Sequence, residues 1–220
     1  MYILGIDTAT DVGSVAINEN NILRGEVKIN KRFAQSRNLV QAVGFLMKSL
    51  EIKSEQLGGI AISIGPGSYT GLRIGLSIAK ALAYSWEKPL LAVNSLDSLA
   101  CLGQGRTELI CPVIRFRKNE YYHAFYSDNR TEIQRQSDYS VSLFPEILQD
   151  VNVNLFLAGV LQQSDLDFVL NGELKNRVVY FPERYPTAFW VAYLGAKNLA
   201  KGITENVNTV TPFYMHDFPL

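Results

Sequence analysis

Three short runs rich in Ile, Leu and Val stand at the start of the chain, at residues 2–7, 12–18 and 22–28. Such runs are typical of strands, and Asn and Asp residues between them favour turns, so the pattern predicts a three-stranded meander. A helical period with one apolar face follows, formed by Leu39, Val43, Leu46, Met47 and Leu50. Packing within the chain's own core accounts for most of this face, and Gly44 would let a neighbour approach the helix closely.

A buried-strand pattern at residues 60–64 runs through a glycine loop into a long helix that reaches Trp86. The loop residues are Gly65, Pro66 and Gly67, and the candidate helix caps are Ser68 and Thr70. This order of elements gathers free backbone N–H groups at one point, which is how many proteins hold phosphate or carboxylate. The glycine spacing matches neither the dinucleotide-binding fingerprint nor the P-loop. A structural turn is therefore the simpler interpretation, and an anion or nucleotide loop is the alternative.

The helix after this loop carries small residues four positions apart and apolar residues around most of its circumference. The small residues are Gly71, Gly75, Ala79 and Ala83, and the larger apolar ones include Leu72 and Leu76. Such a helix is expected to be buried nearly all round. Two interpretations have equal weight: a central helix packed in its own domain, or a helix with one side covered by another protein.

Elements of the second half follow the same order as those of the first, after a linker-like segment at residues 103–105. The pattern predicts strands at residues 109–116, 120–127, 131–135 and 155–158, and helices at residues 143–148 and 188–201. The repetition indicates an α/β fold of two repeated subdomains, residues 1–102 and 103–220, each a mixed sheet flanked by helices. We expect the last helix to pack back on the first subdomain.

The composition, 47% hydrophobic over 220 residues, is that of a globular protein with a well-buried core. Because neither a long apolar segment nor a leader-like start is visible, we expect a cytoplasmic protein without membrane contact. Basic and acidic residues balance at 21 each, so the overall charge does not indicate an RNA-binding protein. Two local groups could touch nucleic-acid phosphates, although a solvated surface is the more common explanation: Lys28, Lys31, Arg32, Arg37 and Lys48, and Arg115, Arg117 and Lys118.

Residues suited to acid–base or metal chemistry are scarce. The two histidines are His123 and His216, and the two cysteines are Cys101 and Cys111. Neither pair has the spacing of a metal site, so we expect reduced cysteines and no metal or cofactor. We expect no peptidase activity, because Ser68 has only His123 as a conceivable base. Aromatic residues of one predicted strand could stack bases, but strand propensity explains them more simply: Tyr121, Tyr122, Phe125 and Tyr126.

Asp7 is the best single candidate for chemistry, because it ends the first apolar strand and precedes a turn that contains Thr8 and Thr10. Its carboxylate could face a ligand beside the glycine loop. The alternative is a local role, in which the carboxylate accepts backbone N–H groups of the turn. We favour the local role and keep Asp7, Thr8 and Thr10 as members of a possible anion or nucleotide site.

The segments GPGSYTGLRIG, SIAKALAY and VNSLDSLA, together with the N-terminal ILGIDTAT, resemble the signature of the bacterial TsaB (YeaZ) family. The resemblance implies the fold of actin, Hsp70 and the sugar kinases (ASKHA). It also implies a non-catalytic subunit in the synthesis of N6-threonylcarbamoyladenosine on tRNA. The implied partners are the catalytic subunit TsaD, the ATPase TsaE and, through the complex, tRNA. The family's older glycoprotease-like, peptidase M22-related label finds no support in the residues.

In this family the first helix and the glycine-loop helix meet the equivalent helices of TsaD, which implies a partner interface here. Its candidate residues are Leu39, Val43, Gly44, Met47, Gly71, Leu72, Gly75, Leu76, Ala79 and Ala83. The isolated chain could form a homodimer through the same helices. Two other functions stay open, an ATP-dependent small-molecule kinase of the same fold and a self-associating structural protein.

The sequence departs from the family pattern at two places. Arg115, Phe116 and Arg117 stand where the family usually has Asp-Ala-Arg, and Gln35 stands where a histidine often precedes Ser36. Because arginine excludes a carboxylate role at position 115, no function is carried over to that segment.

Overall fold

The computed structural model describes residues 1–30, 35–105, 109–129, 132–149, 151–172, 176–180 and 185–215. The chain divides into two compact units. Unit 1 contains Met1–Ser98 and Pro186–Tyr214, and unit 2 contains Leu99–Tyr185 and Met215–Leu220. The helices are α1 (Gln35–Ser49), α2 (Tyr69–Ser85), α3 (Ser95–Ala100), α4 (Phe144–Leu148), α5 (Gln163–Asn171) and α6 (Ala188–Ala200), with short 3-10 turns at Ser54–Gln56 and Cys101–Gly103.

Unit 1 is built on a mixed sheet of five strands, β1 (Tyr2–Asp7), β2 (Val12–Glu19), β3 (Ile22–Asn30), β4 (Leu57–Gly65) and β5 (Leu90–Asn94). Their spatial order is β3-β2-β1-β4-β5. The first three strands form the predicted antiparallel meander, and β4 runs parallel to both β1 and β5. Asn20 and Asn21 turn β2 into β3 with positive φ angles of 51° and 69°, which Asn tolerates better than most residues.

Helices cover both faces of this sheet. On one face, α1 and α2 contribute Leu39 and Leu76 to a core cluster that also contains Leu4 of β1. On the other face, Val191 of α6 packs against Ile3 of β1. Successive residues of a strand point to opposite faces, so both Ile3 and Leu4 are buried. The nearly continuous apolar sequence of β1 therefore follows from its position as a central strand covered on both sides.

Unit 2 repeats this arrangement with the strands β6 (Leu109–Arg117), β7 (Glu120–His123), β8 (Tyr126–Asp128), β9 (Ile133–Arg135), β10 (Ser140–Leu143), β11 (Leu155–Gly159) and β12 (Val178–Tyr180). The main order is β10-β7-β6-β11-β12, and β8 pairs with β6 and β9. Like β1, β6 is central, with an antiparallel strand on one side and a parallel strand on the other. Both units combine a mixed sheet with flanking helices, which confirms the predicted fold class.

Three elements of unit 2 have no clear signal in the sequence, namely β10, α5 and β12. The strands β10 and β12 are edge strands of four and three residues, which is too short for a periodic pattern. Helix α5 buries only Asp165 and Val169 among its nine residues, so its apolar face is narrow. The strand predicted at residues 120–127 is divided into β7 and β8 by Ala124 and Phe125.

Candidate functional site

The glycine loop between β4 and α2 is held by its own chain. Ser68 is the N-cap of α2, and its Oγ accepts the Gly71 N–H at 3.2 Å, so Ser68 rather than Thr70 fills the predicted cap. Gly65 and Gly67 have φ angles of +123° and +158°, which L side chains rarely adopt. The Gly65–Pro66 peptide bond is cis.

Two segments of unit 1 lie against this loop. The Ser68 N–H donates to the Ala9 carbonyl at 2.8 Å, and a Cβ on Gly67 would overlap Ala9. On the other side, the Phe213 N–H donates to the Ile64 carbonyl at 2.8 Å. An anion bound at the loop would therefore compete with the Ala9 carbonyl for the Ser68 N–H.

Asp7 lies at the carboxyl end of β1, next to the loop, and is fully buried. Its Oδ1 accepts the Ala9 N–H at 3.2 Å, the local bond that the turn interpretation expects. Its Oδ2 has no hydrogen-bond partner among the described residues. Burial raises the pKa of the Asp7 carboxyl to about 6, although hydrogen bonding by Ser63 and Ala9 opposes this rise.

The two threonines of the β1–β2 turn have different surroundings. Thr8 is buried, its N–H donates to Ser63 Oγ at 3.4 Å, and its Oγ1 has no partner in the described part of the chain. Thr10 donates its hydroxyl to the Val12 carbonyl at 3.3 Å and closes the turn. The structure thus brings the predicted loop residues together at one end of the sheet: Asp7, Thr8, Thr10, Gly65, Gly67, Ser68 and Thr70. A ligand role for them stays a prediction.

Two side chains of the sheet accept hydrogen bonds from the first backbone N–H groups of α6. Ser14 Oγ accepts the Ala188 N–H at 2.9 Å, and Glu26 Oε1 accepts the Phe189 N–H at 3.2 Å. Thr187, which occupies the N-cap position, makes no side-chain cap bond. Sequence reasoning missed Ser14 and Glu26, because residues so distant along the chain leave no local signal for a cap.

Most of the predicted partner-interface residues are packed inside unit 1. A Cβ on Gly75 would overlap Thr8 Oγ1 and would lie 3.1 Å from Ile62 Cδ1, so the small-residue side of α2 faces its own sheet. The buried members of the predicted set are Leu39, Val43, Gly71, Leu72, Gly75, Leu76, Ala79 and Ala83. Gly44 is exposed and Met47 is half-buried. A partner role for the set stays a prediction, and the burial shifts attention to the opposite sides of the two helices.

Exposed apolar and small residues occupy those opposite sides. Val40, Phe45 and Tyr84 are 50%, 63% and 78% exposed. A Cβ on Gly44 would meet nothing within 4 Å. We define the outer face of α1 and α2 by its exposed residues Val40, Gly44, Phe45, Ser77, Ala81 and Tyr84. Sequence analysis named only Gly44 among them, although their positions off the core-facing stripe are the signal that could have found them.

Other candidate residues are distributed over unit 2. His123 Nε2 lies 3.1 Å from Ser142 Oγ, and burial lowers the pKa of His123. Tyr121, Tyr122 and Tyr126 are buried and cannot stack bases, whereas Phe125 is half-buried. Cys101 and Cys111 are buried and form no disulfide with each other, and Arg115, Arg117 and Lys118 are exposed.

Some predicted residues fall outside the described ones, namely Lys31, Arg32 and His216, as do the side chains of Gln35, Ser36 and Arg37. Across the described ranges, no three His, Cys, Asp or Glu side chains gather as a metal site would require. The described helices include none long and apolar enough to cross a membrane.

Comparison with known proteins identifies the family. A family model described as TsaD: tRNA N6-adenosine threonylcarbamoyltransferase matches residues 31–212. A protein named tRNA threonylcarbamoyladenosine biosynthesis protein TsaB, from Bacillus subtilis, is 32% identical over 156 residues. The chain belongs to the TsaB (YeaZ) branch of this family. The alignment covers 70% of the chain and 63% of the Bacillus protein, so the chain spans a little under two thirds of that TsaB relative.

Two further TsaB (YeaZ) proteins match over nearly the whole chain. The TsaB of Buchnera aphidicola is 26% identical over 214 residues, which cover 94% of this chain and 96% of that protein. The solved structure of YeaZ from Pseudomonas aeruginosa superposes with a TM-score of 0.79 at 22% identity, covering 97% of this chain and 99% of that one.

The activator of 2-hydroxyisocaproyl-CoA dehydratase from Clostridium difficile, solved with bound ADPNP, has a TM-score of 0.52 at 10% identity and covers 94% of this chain and 99% of its own. These likenesses confirm the predicted ASKHA fold.

Proposed function

We propose that the chain is a non-catalytic subunit in the synthesis of N6-threonylcarbamoyladenosine on tRNA, and that it binds and supports the catalytic subunit TsaD. The names of its TsaB relatives and the match to the TsaD family model support this proposal. TsaE and tRNA would then meet the chain within the complex. The observation that carries the proposal is the outer face of α1 and α2.

The outer face has the composition of a helix-docking surface. Val40, Phe45 and Tyr84 offer exposed apolar area, and aromatic residues such as Phe45 and Tyr84 are enriched at protein interfaces. Between them, Gly44, Ser77 and Ala81 are small and exposed, so the backbone of a partner helix can approach closely. The buried residues behind this face hold α1 and α2 on the sheet and present both helices rigidly.

The site at the end of β1 supports a non-catalytic role. The loop N–H of Ser68 is already bonded to Ala9, and one oxygen of Asp7 already accepts the Ala9 N–H. The Ser68 N–H, one of the loop groups that could hold a phosphate, is therefore engaged with the chain's own turn.

Binding to TsaD tests the proposal. Val40→Asp and Tyr84→Asp place a charge on the outer face and should lower the affinity for TsaD by at least about tenfold, because an unpaired carboxylate would be buried against the partner. Val153→Asp is the matched control, since Val153 is 43% exposed and lies in unit 2. All three variants should keep the wild-type melting temperature. Equal binding by Val40→Asp, Tyr84→Asp and the control would reject the docking role of the outer face.

Reconstitution tests the role in the reaction. Modified adenosine should accumulate when the chain is mixed with TsaD, TsaE, tRNA, ATP and the activated threonylcarbamoyl donor, and much less should form when the chain is omitted. Equal yields with and without the chain would exclude a supporting role. Sedimentation of the isolated chain shows whether the outer face also pairs two copies.

A kinase of the same fold is the second candidate, and the unpartnered Asp7 Oδ2 is the observation that favours it. A nucleotide at one hundred times its dissociation constant should stabilise the folded chain by roughly 2.7 kcal/mol. An unchanged melting curve in ATP and Mg²⁺ would eliminate this candidate.

A further inference from the structure

Arg73 of α2 is held in place by two aromatic residues of unit 1. Its Cζ lies 3.9 Å from the ring centroid of Tyr69, one turn earlier in the same helix. Its Nε donates a hydrogen bond to the hydroxyl of Tyr214 at 3.0 Å. The two tyrosine rings are themselves in contact, with centroids 5.4 Å apart. An exposed arginine side chain is thereby restricted to one orientation before any partner arrives.

The restricted guanidinium keeps one edge available. Nε is bonded to Tyr214 and one face of the plane is covered by Tyr69, which among the described residues leaves the terminal nitrogens Nη1 and Nη2 for a partner. Two parallel N–H groups at this edge match the two oxygens of a carboxylate. Within the described residues the ion pairs are Arg24 with Glu19 and Lys28 with Glu26, and neither involves Arg73.

The charge around Arg73 favours an acidic partner. The sequences of α1 and α2 contain Arg37, Lys48, Arg73 and Lys80 but neither Asp nor Glu. The chain as a whole is neutral, with 21 basic and 21 acidic residues, so this helix pair carries a local excess of positive charge. A surface of this sign complements carboxylates on a docking protein.

Position along the helix connects Arg73 to the outer face. Arg73, Ser77 and Ala81 are exposed and follow one another at four-residue spacing, so they lie along one side of α2. An arginine beside small and apolar positions is typical of a protein interface. RNA binding draws its affinity from several phosphate contacts made by basic side chains. Because the chain is neutral and the outer face is apolar, a protein partner fits this surface better than RNA does.

We propose that Arg73 is a carboxylate anchor, which pairs with one Asp or Glu side chain of the protein that docks on the outer face. Tyr69 and Tyr214 are its positioning residues. The inference rests on the proposed function, because the docking protein is taken to be TsaD. Since the guanidinium is already oriented, forming the pair costs less side-chain entropy than it would for a free arginine.

Equilibrium binding of TsaD to the full chain, without tRNA, tests the anchor. Arg73→Gln should weaken binding about tenfold, and the loss should shrink as the salt concentration rises, because screening weakens the pair in the wild type. Arg73→Lys should recover only part of the loss, since the lysine ammonium lacks the two parallel N–H groups that the guanidinium offers to a carboxylate. Arg135→Gln is the matched control: Arg135 also stacks on a tyrosine, 4.0 Å from the Tyr139 ring centroid, but lies in unit 2.

Charge reversal identifies the pair directly. Arg73→Glu should abolish binding at low salt, and one Asp→Arg or Glu→Arg substitution in TsaD should restore it. Tyr214→Phe removes only the positioning hydroxyl and should weaken binding severalfold without changing the melting temperature.

The two proposals fail in different ways. If wild-type chain does not bind TsaD, the proposed function is wrong. If wild-type chain binds and Arg73→Gln binds within twofold of it, or loses only tRNA affinity, the anchor is wrong while the proposed function stands.

Discussion

Gly75 of α2 lies directly against Thr8 at the end of β1, so that a Cβ on Gly75 would overlap the Thr8 hydroxyl oxygen. Gly71, one turn earlier, lies in the same way against the Thr8 carbonyl oxygen. The first turns of α2 can approach the sheet this closely because these two residues lack side chains. The small-residue stripe thus serves helix–sheet packing within unit 1.

We predict that Gly75→Ala destabilises the chain by about 1–3 kcal/mol, because the added methyl group forces α2 away from the sheet. Gly44→Ala is the control in α1, where a Cβ would meet nothing within 4 Å. It should stabilise the chain by about 0.5–1 kcal/mol, since alanine restricts the unfolded chain. Urea unfolding measures the stability of both variants, and equal midpoints would contradict the close packing of Gly75 against Thr8.

The larger changes Gly75→Leu and Ala79→Trp should unfold the chain for the same reason. They therefore report on the core, and the outer-face variants are needed to test docking.

We predict that Asp7 makes stability depend on pH. The pKa of its carboxyl rises from 3.8 to about 6 on folding, so the folded chain binds this proton more tightly than the unfolded chain does. The favourable contribution is complete below pH 3.8 and is lost as the pH rises through about 6. The difference between the unfolded and folded pKa values corresponds to roughly 3 kcal/mol in the free energy of unfolding.

Asp7→Asn removes this dependence. Unfolding measured from pH 3.5 to 7 should show the variant gaining stability relative to wild type as the pH rises through that range. A constant difference between the two proteins across this range would show that the carboxyl does not titrate there.

We predict that Tyr121→Phe destabilises unit 2 by about 1–3 kcal/mol. The Tyr121 hydroxyl donates to Asp165 Oδ2 at 2.6 Å and accepts the Gln162 N–H at 3.0 Å, at the start of α5. Its loss leaves a buried carboxylate and a backbone N–H without this partner. Hydrogen exchange should show faster opening of α5. Tyr122→Phe is the control, because Tyr122 is the next residue of β7 and its hydroxyl makes no hydrogen bond to another described residue. Equal exchange rates in the two variants would contradict the role of the hydroxyl.

We predict that Ser68→Ala costs about 1 kcal/mol through the lost cap of α2. Thr70→Ala should cost much less, because Thr70 is exposed and is not the cap. Thermal unfolding compares the two, and a larger effect of Thr70→Ala would show that the cap is misassigned.

Local patterns predict much of this fold. The meander of β1–β3, the strand–loop–helix unit at β4 and α2, and a cap at Ser68 or Thr70 all follow from apolar patterns and turn chemistry within a few residues, and the structure selects Ser68. Sequence motifs also point to the family. The edge strands β10 and β12 escape this reasoning, because a few residues at a sheet edge carry too little pattern.

The sequence by itself determined the order of elements, the amphipathic face of α1 and the nearly all-apolar character of α2. Only the tertiary structure decided which side of α2 faces the sheet, since an apolar surface on almost every side gives periodicity no preference. It also decided that Ser14 and Glu26 satisfy the N-terminus of α6, and that Tyr214 holds Arg73. The physical reason is the same in each case: these contacts join residues far apart along the chain, and local patterns carry no information about which distant residue will be the neighbour.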